Sequence, residues 1–429
     1  MAKLLCDFQV LKKRIERVKN VVLYGAHRIA EDVYELLRYY NMDKKVSGFA
    51  VTDEEENPKT IASIPVKSLE KYKDIRDEKV LVIIAMPEKF FAEVAQKVKR
   101  AGFEDIFFVE GRQLAHWENK IVIEKLNDLL PDVKARQDEN EYLCIRLELG
   151  GHSYKLMALG TFPFHMEYID TLRKIENIWE KCGSPMESVH LDTVSRDRNT
   201  KNISVYVACS TNDIALLNGK SLKKWEFPVI GGAALKKTKN EMQRDNEGIN
   251  ISTENKRFSE MTVAYWAWKN SDADYIGLEH YRRRYLLSEE QLIGIADQNV
   301  DVILTRPRIV FPNIKVWLPR VSCVGERDID MLIQWLIKKF PQHEDHIEDF
   351  FEGNIFYPNN MVIAKKEIYA KYCEWLFHIL FELDKTDSFS GFQKKNRYAG
   401  YIAELLTSYY FMLNQDQYKM IISDYELLS

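Results

Sequence analysis

The run Val80–Met86 is the most continuous apolar stretch in the chain, and it constrains the fold class more than any other feature. It falls far short of the roughly 18 residues that a membrane-crossing helix needs, so it reads as a buried strand. Its surroundings have the same character. Val21–Gly25 is an apolar strand running into a glycine turn, followed by Ile29, Val33, Leu36 and Leu37 at helical spacing. Lys45–Val51 and Ile106–Val109 read as further strands, with Phe91, Val94 and Val98 on a helix before the last of them. Strands alternating with helices predict a parallel sheet, so residues 1 to about 125 are expected to form a Rossmann-like unit.

A chain of 429 residues is too long for one ordinary core, which predicts two or three domains. From 126 to 200 the pattern suggests a small connector: Leu143, Ile145, Leu147 and Leu149 alternate, and Gly150-Gly151 supplies a hairpin turn. The polar stretch Arg196–Asn202 marks a boundary, and 201–429 is expected to be a second α/β unit. That unit opens with the strand Ile203–Ala208, turns at Gly231-Gly232, and runs through a polar loop, Lys236–Asn250, to a helix from Ser259 to Asn270. Asp272–Leu278, Val300–Leu304 and Asn360–Ala364 read as strands. Ile329–Phe340, Glu367–Leu383 and Tyr398–Leu413 read as helices.

Charge and cysteine usage narrow the function classes. Lys and Arg total 61 against 65 Asp and Glu, so no basic excess exists to neutralise a phosphate backbone and nucleic acid is not an expected partner. The six cysteines are scattered without a C-x-x-C pair, which fits a reducing compartment. Lys12, Lys13 and Arg14 interrupt the N-terminus before an apolar segment forms, unlike a signal peptide. A cytoplasmic protein is expected, with room for peripheral contact at the inner membrane face.

Three segments carry candidate chemistry. Gly25-Ala-His-Arg-Ile-Ala30 sits where a dinucleotide fingerprint would sit, but His27 occupies the position of the glycine that lets backbone approach a pyrophosphate, and Asp53 follows Gly25 by 28 residues. No nicotinamide cofactor is expected. Asp274–Tyr285 takes a buried-looking strand into Glu279, His280, Tyr281, Arg282, Arg283 and Arg284. Arginines emerging at a strand's carboxyl end suit a diphosphate, although a solvated basic turn with an interior histidine reads the same way. In the loop Arg244–Ser252, Ser252 is a possible helix cap and the polar groups suit sugar hydroxyls. Tyr265, Trp266 and Trp268 read as core, and Trp317, in a Pro-rich loop, as the better stacking platform. In Arg397–Glu404, Gly400 lies one helical turn before Glu404, which is either a base or an ion-pair partner of Arg397.

Val229–Leu235, Asn250–Ser252, Glu260–Asn270, Asp274–Arg283 and Arg397–Glu404 together resemble the bacterial glycosyltransferase family catalogued as domain of unknown function 4422, whose members occur in capsule, exopolysaccharide and O-antigen gene sets. Departures fall at Ile249, where the family tends to carry an acid, and at Ser210-Thr211, where a His-Lys pair is expected. The resemblance implies a GT-A-like α/β domain that moves galactose or galactofuranose from a UDP-sugar to a lipid-linked or oligosaccharide acceptor. It implies donor contacts at Asn250, Ser252, Glu279, His280, Tyr281, Arg282, Arg283, Arg397 and Gly400. Mn²⁺ or Mg²⁺ would be held by Glu279 and His280, or Arg282 and Arg283 would meet the diphosphate without metal. Glu404 is the preferred base, ahead of Asp245 and Glu260. A catalytically silent binding or scaffold subunit of a polysaccharide assembly complex, and more distantly a nicotinamide-dependent sugar-nucleotide oxidoreductase, are the competing readings.

Overall fold

The structure is a computed structural model describing residues 8–55, 57–76, 78–141, 143–149, 152–157, 201–210, 222–235, 242–310, 313–386, 389 and 396–428. The chain divides into two compact units: one chiefly Met1–Asp138, the other gathering Glu139–Glu141, Leu147–Leu156 and the described residues from 201 onward. Both are α/β, as the alternation of strand and helix patterns predicts.

The first unit runs α1 (Phe8–Glu16), β1 (Asn20–Tyr24), α2 (Arg28–Tyr39), β2 (Val46–Val51), β3 (Thr60–Ile61), β4 (Ile64–Ser68), β5 (Val80–Ala85), α3 (Phe91–Arg100), β6 (Ile106–Val109) and α4 (Gly111–Leu129). Its strands lie in the order β3-β4-β2-β1-β5-β6, all parallel except β3 at the edge. Every residue of β5 is buried because both faces are covered. Leu81 and Ile83 join Val21 and Leu23 in a cluster on one face, while Val82 and Ile84 join Val22 and Tyr24 on the other. At Gly25, φ is 132° and a Cβ would lie 2.7 Å from the Ala85 carbonyl oxygen, so only glycine lets the chain turn here against β5. His27 is exposed where α2 begins. The cleft of about 390 Å³ lined by Arg17, Arg76 and Lys79 sits at the amino ends of β1, β5 and β6, opposite to where ligands bind in such sheets.

Next come β7 (Lys134–Gln137), β8 (Ile145–Leu149) and β9 (His152–Leu156). β8 and β9 are neighbours in a sheet, while the Gly150-Gly151 turn expected between them lies outside the described residues, as does most of Arg196–Asn202.

The second unit continues with β10 (Ile203–Cys209), β11 (Glu226–Ile230), β12 (Gln243–Arg244), α5 (Asn255–Phe258), α6 (Met261–Asn270), β13 (Tyr275–His280), β14 (Arg283–Tyr285), α7 (Glu289–Asp297), β15 (Val302–Thr305), β16 (Arg308–Ile309), α8 (Ile314–Val321), α9 (Glu326–Lys339), α10 (Glu344–Glu352), β17 (Ile355–Phe356), β18 (Val362–Lys365), α11 (Lys366–Asp384), α12 (Tyr398–Leu413), β19 (Met420–Ser423) and β20 (Tyr425–Leu427). Its main sheet has the order β12-β11-β10-β13-β18-β15-β19, with β14 bridging β13 to β20. The four strands from β12 to β13 are parallel, and β18 runs antiparallel to both β13 and β15. On α6, Tyr265 and Trp268 pack against Phe377 of α11, the latter stacked at 6.0 Å, but both are only half-buried, so the core reading holds in full for the buried Trp266 alone.

Trp317 corrects the sequence reading. It is not a loop platform: it lies in α8, 4% exposed, with its ring 5.2 Å from that of Phe356. The helix forms despite Pro319 because the Asn313 side chain accepts a hydrogen bond from Val316 N–H at its start, and Ile314, Trp317 and Leu318 bury one face.

Candidate functional site

The carboxyl end of β13 brings several ionisable groups of the second unit together. β10 and β11 run parallel beside it, so their ends and the Gly231-Gly232 turn open on the same edge of the sheet. On the other side β18 is antiparallel with Gly277 opposite Ile363, and extending that register sets Asn360 across from His280. Asn359 and Asn360 both have left-handed backbone, with φ of 77° and 53°, a conformation asparagine tolerates better than most residues. The chain before them is fixed by Thr305, whose hydroxyl donates to the Pro358 carbonyl, and by Ser408, which bonds both backbone groups of Tyr357.

This pair of asparagines gathers three side chains. The Asn359 carbonyl lies 2.6 Å from His280 Nε2, and the Asn359 N–H donates to Glu404 Oε1 at 2.8 Å. The Asn360 amide donates to Glu260 Oε1 at 2.8 Å and to the Gly400 carbonyl at 3.1 Å. Glu260 leads into α6, and Glu404 sits in α12 with Gly400 one turn earlier. All three ionisable groups keep partial access to solvent.

Their protonation follows from their neighbours. Because a carbonyl oxygen only accepts, His280 Nε2 carries the proton. Burial pushes the imidazole pKa down, Arg283 and Arg397 push the same way, and these outweigh Glu260 and the Asn359 carbonyl. The ring is therefore neutral at pH 7, and its Nδ1 keeps a lone pair. Burial pushes the Glu260 carboxyl up, but the His280 ring, bonds from Ser259 and Asn360, and Arg397 bring it below its ordinary value. Burial raises Glu404, with Glu260 adding to the rise and Arg308, the Asn359 N–H and Arg283 only partly offsetting it. Two carboxyls on one clamp are thus held apart in pKa.

The expected orienting partner of Glu404 is corrected here. Arg397 is exposed, 5.5 Å from the Tyr401 ring, and its charge acts on Glu260, while the Asn359 N–H fixes Glu404. A methyl group on Gly400 would lie 3.7 Å from Glu260 Oε1, so this glycine lets α12 pass close to the cluster.

Glu279 and His280 point to opposite faces of the strand, and the structure does not bring them together. Glu279 is fully buried, takes the Tyr285 N–H on Oε1 at 2.7 Å, and leaves Oε2 without a hydrogen-bond partner. Burial pushes its carboxyl up to about 8, against the Tyr285 N–H and the Lys223 charge. As a joint ligand pair for Mn²⁺ or Mg²⁺ these two residues do not fit. The arginines beyond them separate likewise: Arg282 is exposed, Arg283 is partly buried with its Nε lacking a hydrogen-bond acceptor among the described residues, and Arg284 is buried in an ion pair with Glu226. Tyr281 donates its N–H to the Ala208 carbonyl, and its side chain packs against the cluster of Val207, Cys209, Ile230 and Ala233.

The Arg244–Ser252 loop is braced on itself. Asp245, fully buried, accepts from the N–H groups of Gly232 and Ala233 at 2.8 and 3.0 Å and from Ser252 Oγ at 2.5 Å. Ser252 is therefore not a helix cap, because its hydroxyl serves Asp245 and the Ala234 N–H. Asn250 accepts from the Ser252 N–H and donates to the Gly248 carbonyl. Gly232, at φ 66°, could carry no Cβ, which would meet Asn255 at 2.7 Å.

Asn359 and Asn360 were not legible as functional residues. Asn-Asn before a strand signals a turn, but the groups that do the gathering are largely main-chain ones, which leave no mark in a sequence.

Among solved structures, the chain is similar to the WbbM bifunctional glycosyltransferase, at 24% identity over 53% of this chain and 45% of that one, with a TM-score of 0.44. It thus spans under half the length of that structure's chain. Other likenesses are to RSP, a Rex-family repressor, at 17% identity over 24% of this chain and 49% of that one (TM-score 0.20), and to RSP in complex with NAD⁺ and operator DNA, at 14% over 29% and 68% (TM-score 0.19). No curated protein matches the chain. Residues 220–415 match the family described as Domain of unknown function (DUF4422), a span that holds Glu260, His280, Asn359, Asn360 and Glu404.

Proposed function

We propose that the second unit is a glycosyltransferase that moves a hexosyl group, galactose or galactofuranose, from a UDP-linked donor to a sugar acceptor of a surface polysaccharide. The observation that carries this reading is the cluster of Glu260, His280 and Glu404 held on the Asn359-Asn360 turn beside Arg283, whose Nε is buried without an acceptor. A guanidinium poised this way suits a phosphate oxygen, and its charge stabilises the diphosphate as the bond from the anomeric carbon to it breaks. If the new bond forms with inversion, one carboxylate takes the acceptor hydroxyl proton. Glu404 suits that role, because a carboxyl raised by burial is a stronger base once ionised and lies nearer the working pH than the depressed Glu260. Glu260 stays ionised opposite His280. Since Glu279 and His280 do not form a ligand pair, no step is assigned to a metal held between them.

The test is to incubate the purified chain with UDP-galactose and UDP-galactofuranose, follow UDP release, and measure UDP binding by calorimetry. Turnover that disappears in Glu404→Gln while UDP binding persists supports the reading. Binding without turnover in the parent protein would instead favour the silent sugar-nucleotide-binding subunit.

A further inference from the structure

Asn359 divides its work between backbone and side chain. Its N–H and C=O hold Glu404 and His280, yet its side-chain Nδ2 is buried with no hydrogen-bond partner among the described residues, in a residue only 8% exposed. A buried amide N–H left unpaired costs on the order of 1–3 kcal/mol, so it calls for an acceptor that arrives from outside the protein. Asn360, its neighbour in the same conformation, spends its own amide on Glu260 and Gly400. The contrast within the pair is between an amide used for structure and one held in reserve.

We propose that Asn359 Nδ2 donates a hydrogen bond to a hydroxyl of the donor sugar, and so sets which sugar the site accepts. This rests on the transferase reading above. The chemistry of the surroundings selects the ligand group. Nδ2 belongs to the residue that clamps one carboxyl, Glu404, and lies next in sequence to the one that clamps another, Glu260, so a phosphate brought to it would meet like charge. A neutral hydroxyl oxygen meets no such repulsion. Arg283, whose charge reaches both His280 and Glu404, takes the phosphate instead, which leaves the sugar joined to that phosphate as the nearest source of hydroxyls. A site built to bond a hydroxyl discriminates strongly against an analogue lacking it, because the amide is then buried unpaired.

The division of labour supplies the test. Asn359→Gly removes the amide but keeps both backbone bonds, since glycine adopts a φ of 77° without strain. Asn359→Asp keeps the size and turns the donor into an acceptor. Calorimetric titration of the full chain with UDP and with UDP-galactose and UDP-galactofuranose should show unchanged UDP affinity in Asn359→Gly and about three- to tenfold weaker binding of the UDP-sugar the parent protein prefers, the size of one neutral hydrogen bond. Asn359→Asp should lose more. UDP and UDP-sugar weakened equally would mean a phosphate contact and overturn the proposal. Unchanged binding of all three ligands in both variants would overturn it too, while the transferase reading would stand. A parent protein that binds neither UDP nor UDP-sugar removes the reading itself, and this proposal with it.

Discussion

Each unit buries a glutamate whose carboxyl is pushed up by burial, and the two have opposite surroundings. Glu118, on α4 of the first unit, is wholly inaccessible, and neither of its oxygens has a hydrogen-bond partner among the described residues; Asp32 adds to the rise and Arg28 opposes it. Glu404, in the second, is fixed by a main-chain N–H, reached by solvent, and shares its clamp with a neutral imidazole and a second carboxyl. A perturbed acid is therefore not a site by itself. Orientation and access decide: Glu404 has both and Glu118 has neither.

The comparison breaks most sharply at Glu404. Glu404→Gln should retain UDP binding and lose 10²-fold or more in transfer, the usual range for a general base, whereas Glu118→Gln should leave transfer unchanged. Equal losses in both variants, read as kcat under saturating donor, would erase the distinction. Next in size is Arg283→Ala, expected to weaken UDP binding by about 1.5 to 3 kcal/mol, the range for hydrogen bonds to charged groups. Exposed Arg282→Ala should change it little, and the reverse order in calorimetry would assign the phosphate to the wrong arginine.

A smaller effect concerns stability against pH. Glu279 has a folded-state value of about 8, above its unfolded one, so its contribution is full below the ordinary glutamate range and is lost as pH rises toward 8. In that window one proton's difference is worth ~1.4 kcal/mol per pH unit at most. Glu279→Gln removes the slope, so melting curves of variant and parent should diverge from pH 5 to pH 8 in favour of the variant. Parallel curves would mean that Glu279 is ionised in the folded chain. The smallest expected effect is none: titration of the full chain with NAD⁺ or NADP⁺ should give no heat, because His27 stands where pyrophosphate-binding backbone would need a glycine. Micromolar binding would make the first unit a ligand site as well.

What the sequence made legible follows from periodicity. Tyr398–Leu413 has the bounds its helical spacing predicts, and the all-apolar Val80–Ala85 became a strand covered on both faces. The strand ending at His280 was visible because apolar residues give way there to charge. Period two in a strand sends Glu279 and His280 to opposite faces, which is why they do not form a ligand pair. Trp317 was misplaced because two prolines outweighed a cap and an i, i+3, i+4 apolar face. Gly231-Gly232 read as a turn, but nothing local foretold that Asp245 would hold it, since that bond spans a loop.

The hairpin of β13 and β14 has a consequence for motion. β14 pairs with β20 over only three residues, Arg283 to Leu427, Arg284 to Glu426 and Tyr285 to Tyr425. So short a ladder would ordinarily fray. Opening it, however, would draw Arg284 from Glu226 and strand a charge in the interior, which makes the strap far slower to release than its length suggests. The lifetime of Arg283 in its place beside His280 is thus set by the residue next to it, on the other face of the strand.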